Sequence, residues 1–169
     1  MTELAEYDVV VTEAGICPGT RVYEALLSRA DVMALTQATH DAALRPRDPG
    51  GFSHAERAAL ATRIARLNRD NGLAEHYAEM MREAGADAAT ERFADLDFKG
   101  GDDRRTAAIV AYTDLVAVSP RDTRAAHIDA LKAAGIGDAD IVRLSELNAF
   151  LAYQIRLTAG LRLMRGEWS

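Results

Sequence analysis

Residues 52–77 read FSHAERAALATRIARLNRDNGLAEHY, and this stretch decides the fold. Ser53 and Glu56 form the Ser-x-x-Glu pattern of a capping box, in which each side chain satisfies a backbone amide at a helix N-terminus. Apolar residues then follow at the i, i+4, i+7 spacing of one helix face, at Leu60, Ile64 and Leu67. The pattern predicts a helix that starts at Ser53 and buries one side.

Polar side chains share the predicted buried side of this stretch. Glu56 lies four residues before Leu60, so a carboxylate heads the apolar face, and Arg63 borders the same face. In the next predicted helix, residues 73–83, His76 and Met80 are four residues apart, so an imidazole can also point inward. The stretch therefore brings an acid, a cation and a base to one helical hairpin.

The rest of the chain reads as packing partners for this hairpin. Glycine and proline breaks separate amphipathic segments, which predicts an all-α fold, a compact bundle of six to eight helices. On the second predicted helix, capped by Asp31 and ending near Leu44, we expect a core-facing row. That row comprises Met33 or Ala34, Leu35, Ala38, Ala42 and Ala43. Other predicted helices span residues 20–29, 88–96, 102–118 and 123–134, and Asp138 caps a last long helix over residues 141–163.

The N-terminal region differs in composition from these helices. Residues 7–12 (YDVVVT) are rich in β-branched side chains and predict an extended segment, which Gly15, Pro18 and Gly19 bring to an end. No other strand is predicted, so this segment needs an outside surface to pair with. We therefore expect residues 1–19 to form an arm that packs on a neighbouring subunit and residues 20–169 to form a single domain.

Composition and charge exclude several functional classes. The chain has 169 residues, enough for one hydrophobic core, and a net charge of −6, which disfavours nucleic-acid or anionic-membrane partners. It has no run of eighteen apolar residues, and its N-terminus is acidic rather than basic, which predicts a cytoplasmic protein. Cys17 is the single cysteine, so we expect a reduced free thiol with no internal disulfide.

The histidines lack the spacing of metal ligands. His40, His54 and His127 stand alone on predicted helices, and His40 and Asp41 are neighbours that we expect to point in different directions. We therefore predict no metal and no cofactor.

With these residues in view, the chain resembles the alkylhydroperoxidase D-like and carboxymuconolactone decarboxylase (CMD) superfamily. Glu56 matches the family glutamate, Leu67-Asn68 the end of its helix, and His76 approximately the family histidine. Later segments resemble the closing helices of the peroxidase-related branch: residues 103–112 (DRRTAAIVAY), Ser119-Pro120 and residues 127–157. The resemblance covers roughly residues 20–163 and implies an alkylhydroperoxidase D-like fold.

The resemblance fails at the family's Cys-x-x-Cys motif. Those positions fall among Asp70, Asn71 and Leu73, none of which can hold or relay a thiolate. Loss of both cysteines removes the nucleophile and the electron store together, so thiol peroxidase activity is not expected. The decarboxylase branch, which does not depend on a cysteine pair, implies instead cofactor-free, lyase-type proton transfer on a small acid.

The resemblance therefore selects candidate catalytic residues, led by Glu56, His76 and Arg63. Glu56 is either a plain capping partner or a general base at a pocket mouth, and His76 is either a core histidine or a catalytic base. Arg63 is either an ion-pair partner of Glu56 or an anion clamp. Asp70 and Tyr77 are further candidates because they flank the lost motif.

Two residues of the last helix are expected in a pocket. Asn148 and Arg156 match an asparagine and an arginine of the resembled proteins. Asn148 lies on the buried row between Leu144 and Leu151, where an unpaired amide is costly, so we expect it to have a partner.

Three functional hypotheses follow. The chain is a peroxidase-related family member that keeps a small-molecule pocket and proton-transfer chemistry, a non-catalytic subunit that partners a thiol-competent homologue, or a small-molecule binding protein. The resemblance also implies a homo-oligomer, either a dimer, a trimer or a hexamer.

Overall fold

The computed structural model describes residues 8–167, the last of them in its backbone only. Within this range the protein is helical with no β-strand, which confirms the all-α prediction. The helices are α1 Val9–Glu13, α2 Arg21–Leu27, α3 Ala30–Leu44, α4 His54–Leu67, α5 Asn71–Glu83, α6 Ala88–Glu91, α7 Arg104–Val118, α8 Ala125–Ala133 and α9 Asp138–Glu167. Short 3₁₀ turns follow α6 and α7, at Arg92–Ala94 and Pro120–Asp122. Seven of the described α-helices are longer than five residues, as a bundle of six to eight helices requires.

Helix α4 lies at the centre of the bundle. Ten of its fourteen residues are buried, so it is enclosed on nearly every side rather than along one stripe. It packs on α5, α7, α9 and α3, and six of the buried residues are alanine or threonine, whose small side chains let these neighbours approach closely. The buried positions of α4 belong to the main hydrophobic core of the protein.

Local signals in residues 52–77 form the α4–α5 hairpin. The predicted capping box is present, with Ser53 Oγ accepting from Glu56 N at 3.1 Å and Glu56 Oε2 accepting from Ser53 N at 2.8 Å. After Leu67 the backbone turns through Arg69, whose φ of 60° lies in the left-handed region. Asp70 then caps α5 by accepting from Leu73 N at 3.1 Å.

The prediction of an extended segment at residues 7–12 was wrong for residues 8–12, the part of it that the structure describes. Asp8 caps a helix by accepting from the amides of Val10 and Val11, and α1 follows. Val9, Val10 and Val11 are buried in the chain's own interior, where α1 packs on α9. Their burial overrides the β propensity of the valines. Residues 1–7 lie outside the described residues, and the division of the chain at residue 19 stays a prediction.

The predicted core face of α3 was also wrong, except at Met33 and at Ala43, which is partly buried and packs against the core. Leu35 is 67% exposed, and Ala38 and Ala42 are exposed as well. The buried row consists instead of Met33, Thr36, His40 and Leu44, two of them polar. A polar side chain can occupy a core position when it finds hydrogen-bond partners there, and apolar content alone does not report this.

Smaller differences concern helix ends. Arg29, not Asp31, stands at the N-cap position of α3, and α9 begins at Asp138 itself rather than after it. Asp103 is the cap of α7, with its carboxylate accepting from Thr106 N at 2.8 Å. None of the helices within residues 8–167 has both the length and the apolar character that a bilayer crossing needs.

We expect Gly100→Ala to destabilise the protein more than Gly135→Ala. Both glycines have positive φ, 99° and 84°, so both substitutions strain the backbone, by about 1–2 kcal/mol. An added Cβ at Gly100 would also overlap the backbone of Ala107, whereas one at Gly135 meets no atom within 4 Å. We expect a further loss of about 1–3 kcal/mol for Gly100→Ala, measured by urea unfolding. Equal losses for the two variants would contradict the close packing of residue 100 on α7.

Candidate functional site

Glu56 is engaged at the N-terminus of α4. Besides its capping bond, Oε1 lies 3.3 Å from Arg105 Nη1, and the side chain is 20% exposed. It borders a cavity of about 400 Å³ that is also lined by Asp87, Arg92 and Thr106. His76 is not among the lining residues of that cavity. Glu56 is therefore both a capping residue and an ion-pair partner, and its partner is Arg105 rather than Arg63.

Arg63 is fully buried and held on all sides. Its Nε and Nη2 donate to the two carboxylate oxygens of Asp114, with Nη2 2.7 Å from Oδ2. Its remaining donors reach backbone oxygens of the turn after α6, those of Phe93, Asp95 and Leu96. Such a bidentate pair with extra carbonyl acceptors is the arrangement that lets a guanidinium be buried. Arg63 thus binds α4 to α7 and has no free donor for a substrate anion.

The positions that the resemblance assigns to the cysteine motif have structural contacts in this chain. Asp70 is 5% exposed, caps α5, and accepts two bonds from Arg162 of α9, at 2.8 and 3.0 Å. Leu73 is fully buried in the core. An added Cβ on Gly72 would meet the Glu13 carboxylate and the Arg162 guanidinium, so this glycine makes room for the contact between α9 and the start of α5.

Tyr77 is completely buried, and its hydroxyl donates to Oε1 of Gln154 on α9. Burial raises the pKa of the Tyr77 hydroxyl, and its hydrogen bond to Gln154 opposes the rise only in part. The phenol therefore stays neutral and contributes a hydrogen bond to the core.

His76 lies next to a second histidine. Its Nε2 is 3.4 Å from Nε2 of His40 on α3, a long hydrogen bond, and the two rings are 5.5 Å apart between centroids. His40 is 4% exposed and stacks on Tyr77 at 5.9 Å, while His76 is half-buried and meets Tyr77 edge-on at 5.0 Å. Of the five candidate catalytic residues, the described contacts join only His76 and Tyr77 to each other.

Asp41 extends this pair into a chain of three groups. Its Oδ1 lies 3.0 Å from His40 Nδ1, so the prediction that these neighbouring side chains point apart was wrong. Gln37 Oε1 accepts from Val9 N at 3.0 Å, which turns Gln37 Nε2 toward the same Asp41 oxygen, also at 3.0 Å. Rotation about the side-chain bonds brings the neighbouring His40 and Asp41 side chains together, and the spacing of residues on a helix face does not reveal such a contact.

The neighbours of the two imidazoles assign their tautomers. Two groups approach His40 Nδ1: the Asp41 carboxylate, which only accepts, at 3.0 Å, and Gln37 Nε2, which only donates, at 3.3 Å. Gln37 Nε2 has the shorter bond to Asp41 Oδ1, so we assign the hydrogen on His40 Nδ1 to the bond with Asp41. His40 Nε2 is then a lone pair, and His76 Nε2–H donates to it. The hydrogen bonds of the described residues leave His76 Nδ1 as a lone pair without a donor.

Burial keeps both histidines neutral. It lowers the pKa of His76 to about 4. The charge that His40 would carry if protonated and the charge of Arg45 lower it further, and Glu83 opposes the fall. Burial also lowers the pKa of His40, and the hydrogen bond and charge of Asp41 oppose that fall. At neutral pH the pair therefore carries no charge.

The two predicted pocket residues of α9 differ in burial: Asn148 lies in the core and Arg156 at the surface. Asn148 is 2% exposed and donates from Nδ2 to Leu144 O at 2.9 Å, while its Oδ1 finds no partner among the described residues. The expected hydrogen-bond partner of Asn148 is thus present for its amide nitrogen and absent, among the described residues, for its oxygen. Arg156 is exposed and donates only to Ala152 O of its own helix, at 3.1 Å.

Two further features bear on chemistry. Cys17 is an exposed free thiol in the turn before α2. In the part of the chain that the structure describes, no three His, Cys, Asp or Glu side chains are arranged to hold a metal ion.

Sequence reasoning missed the partners that surround the candidates: His40 with Asp41, Gln154, Arg105, Asp114 and Arg162. One signal for His40 was present, since it lies at i+4 from Thr36 and i−4 from Leu44 on the row that proved to be buried. Gln154, Arg105, Asp114 and Arg162 lie on helices distant in sequence from the candidates. The periodicity of each helix does not indicate which residue of another helix it will contact.

Neither the models of known protein families nor the curated proteins include a match to this chain. The superfamily resemblance therefore stays a prediction from the residues that carry it.

We expect Arg63→Met to cost about 3–5 kcal/mol of unfolding free energy. The substitution leaves the Asp114 carboxylate and several carbonyls without their donor. Arg105→Met is the matched control, because it breaks a partly exposed ion pair worth about 0–1 kcal/mol and one further bond, to Gly51 O. Chemical denaturation measures both, and a loss for Arg63→Met no larger than the control would contradict a structural role.

We expect acid to destabilise the protein partly through His76. The unfolded chain takes up the His76 proton near pH 6.5 and the folded protein only near pH 4, so stability present above pH 6.5 is lost as the pH falls through this window. A pKa unit is about 1.4 kcal/mol, reduced here by solvent screening, so His76→Gln should remove about 1–2 kcal/mol of that loss. Urea unfolding at pH 7.5 and pH 4.5 measures it, and an unchanged pH dependence would contradict the neutral state of His76.

Proposed function

We propose that the chain is a thiol-free, CMD-like and alkylhydroperoxidase D-like protein whose chemistry is cofactor-free proton transfer on a small acid. The observation that carries the proposal is the Asp41–His40–His76 chain of hydrogen bonds. His76 stands at the histidine position of the resemblance. Among the five candidate catalytic residues it has the fewest competing contacts, because Glu56, Arg63, Asp70 and Tyr77 each hold a polar partner of the fold.

The tautomers make His76 Nδ1 the proton acceptor. When Nδ1 takes a proton, the imidazolium keeps its Nε2–H bond to His40, and His40 is in turn held by Asp41. The carboxylate at the end of the chain stabilises the new positive charge, as an acid that orients a histidine does in other hydrolytic and lyase sites. In this proposal His76 accepts and returns the proton, and His40 and Asp41 hold His76 in position.

An anionic substrate fits this electrostatic setting. A carboxylate bound beside His76 favours the imidazolium and raises the pKa of His76 from its low value toward the working pH. Arg45, one of the charges that act on His76, forms an exposed ion pair with Glu83 at 2.6 Å, and we assign it the role of binding such an anion. Binding of the acid and protonation of His76 are thus coupled.

The reaction that suits these groups is decarboxylation of a small carboxylated lactone. The bond between the carboxylate and the ring carbon breaks, CO₂ leaves, and the electron pair stays on the ring, conjugated with the lactone carbonyl. His76 returns one proton to carbon, and that proton is replaced from solvent. No electron is exchanged with another molecule, so the step needs no redox cofactor.

A second candidate is a non-catalytic subunit that partners a thiol-bearing homologue. It is favoured by the use of Asp70 and Leu73, at the positions of the lost motif, for capping and core packing. On this view the chain keeps the scaffold and gives up the chemistry. Homo-oligomer formation, a small-molecule binding role and a cytoplasmic location are compatible with either candidate.

We expect the purified protein to release CO₂ from a small carboxylated muconolactone, and His76→Gln to lower kcat about 10²–10⁴-fold. Asp41→Asn should have a smaller effect, about tenfold, because Asp41 acts through His40. His54→Gln is the matched control, since its ring contacts only Pro46 O at the surface and should leave turnover unchanged. Circular dichroism checks that each variant is folded.

The same preparation should not reduce an alkyl hydroperoxide in the presence of a dithiol. Absence of decarboxylation by folded wild-type protein would contradict the proton-transfer proposal and favour the non-catalytic subunit. Peroxide reduction that persists in Cys17→Ser would contradict the thiol-free assignment as a whole.

A further inference from the structure

An apolar groove runs along the surface between α3 and α9. It has a volume of about 580 Å³ and is lined from α3 by Val32, Leu35 and Ala42 and from α9 by Ala149, Phe150 and Tyr153. Leu35 is 67% exposed and Tyr153 44% exposed, so large apolar side chains stand at its rim. A concentrated apolar surface of this kind marks an interaction site.

The α9 side of this groove carries a row with palindromic spacing. Glu146, Ala149 and Tyr153 line the groove, and Arg156 follows on the same helix face, at successive intervals of three, four and three residues. Read from either end, an acid is matched by a base and a small side chain by a large one. Such a row is complementary to a second copy of itself in the opposite direction.

The two charges of the row are unpaired within the described residues. Glu146 and Arg156 are exposed, and neither lies within ion-pair distance of an opposite charge between residues 8 and 166. They are ten residues apart, about 15 Å along the helix axis. These two charges stand at the two ends of one apolar row.

We infer that the α3–α9 groove binds a second copy of this chain, with the two α9 helices packed antiparallel about a two-fold axis at the level of Leu151. In that register Glu146 faces the partner's Arg156, and Arg156 faces the partner's Glu146. Tyr153 lies over the partner's Ala149 at both ends. Leu35 of each copy covers the rim, so the apolar surface is removed from water on both molecules.

Charge and size select the same register, which argues for a second copy over another occupant. A shift by one helical turn in either direction would take both charge pairs out of contact and set Tyr153 against a different side chain. Tyr153 is held in place for this contact, because its hydroxyl bonds Thr36 Oγ1 at 2.9 Å. The inference does not depend on the chemistry proposed at His76.

Charge reversal tests the register directly. We expect the wild-type protein to be a dimer by analytical ultracentrifugation, and Arg156→Glu and Glu146→Arg to weaken the dimer at least about tenfold, because each creates two like-charge contacts. The double variant E146R/R156E should recover the wild-type Kd, since both pairs are restored with their signs exchanged. Arg121→Glu, at an exposed position of the Pro120–Asp122 turn between α7 and α8, is the matched control and should not change the dimer.

Mixing the two single variants gives the sharpest result. A copy with Glu146→Arg carries two positive ends and a copy with Arg156→Glu two negative ends, so the mixture should form heterodimers although neither variant dimerises well alone. All these positions are exposed, so folding should be retained, as thermal unfolding checks. A monomeric wild-type protein, an oligomer that ignores both reversals, or no association in the mixture would each overturn the inference. Association only with a thiol-bearing homologue would overturn it as well.

Discussion

Two buried arginines on α4 must find acceptors inside the protein, because a guanidinium does not lose its proton in a folded chain. Arg57 donates to the carbonyls of Ala43, Pro49 and Phe52, and so binds the loop between α3 and α4. Arg63 reaches Asp114 on α7 and the turn after α6. The most enclosed helix of the bundle is thereby bonded to its neighbours on two sides, and the positions of α3, α7 and that turn follow from it.

The end of the α4–α5 hairpin shows how this scaffold uses residues that the resemblance assigns to redox chemistry. Asp70 caps α5 and pairs with Arg162, which also donates to Glu13 O, so α1, α5 and α9 meet at this point. The ion pair of Asp70 and Arg162 therefore joins three elements at the positions that the resemblance assigns to the cysteines. The proton transfer that we propose lies one turn further along α5, where His76 meets His40.

Burial has opposite consequences for the polar groups around α5. For Asp70, Tyr77 and Arg63 it comes with hydrogen-bond partners from other helices, which hold each side chain in one position. For His76 it lowers the pKa while leaving Nδ1 without a donor in the described chain. A group that is desolvated but not fully bonded responds to a bound anion, and this separates the histidine pair from its structural neighbours.

Sequence by itself determined the helical class, the capping box at Ser53 and Glu56, and the ends of the α4–α5 hairpin, because caps, breaks and periodicity act within a few residues. It also brought out His76, since an imidazole on an apolar face is visible in the spacing. It failed for α1 and for the buried row of α3, where contacts with α9 outweigh the local preferences of valine and alanine. Only the tertiary structure decided that Arg63 pairs with Asp114, Asp70 with Arg162 and His76 with His40. Those partners are tens of residues apart, and a hydrogen bond between them exists only once the helices have packed.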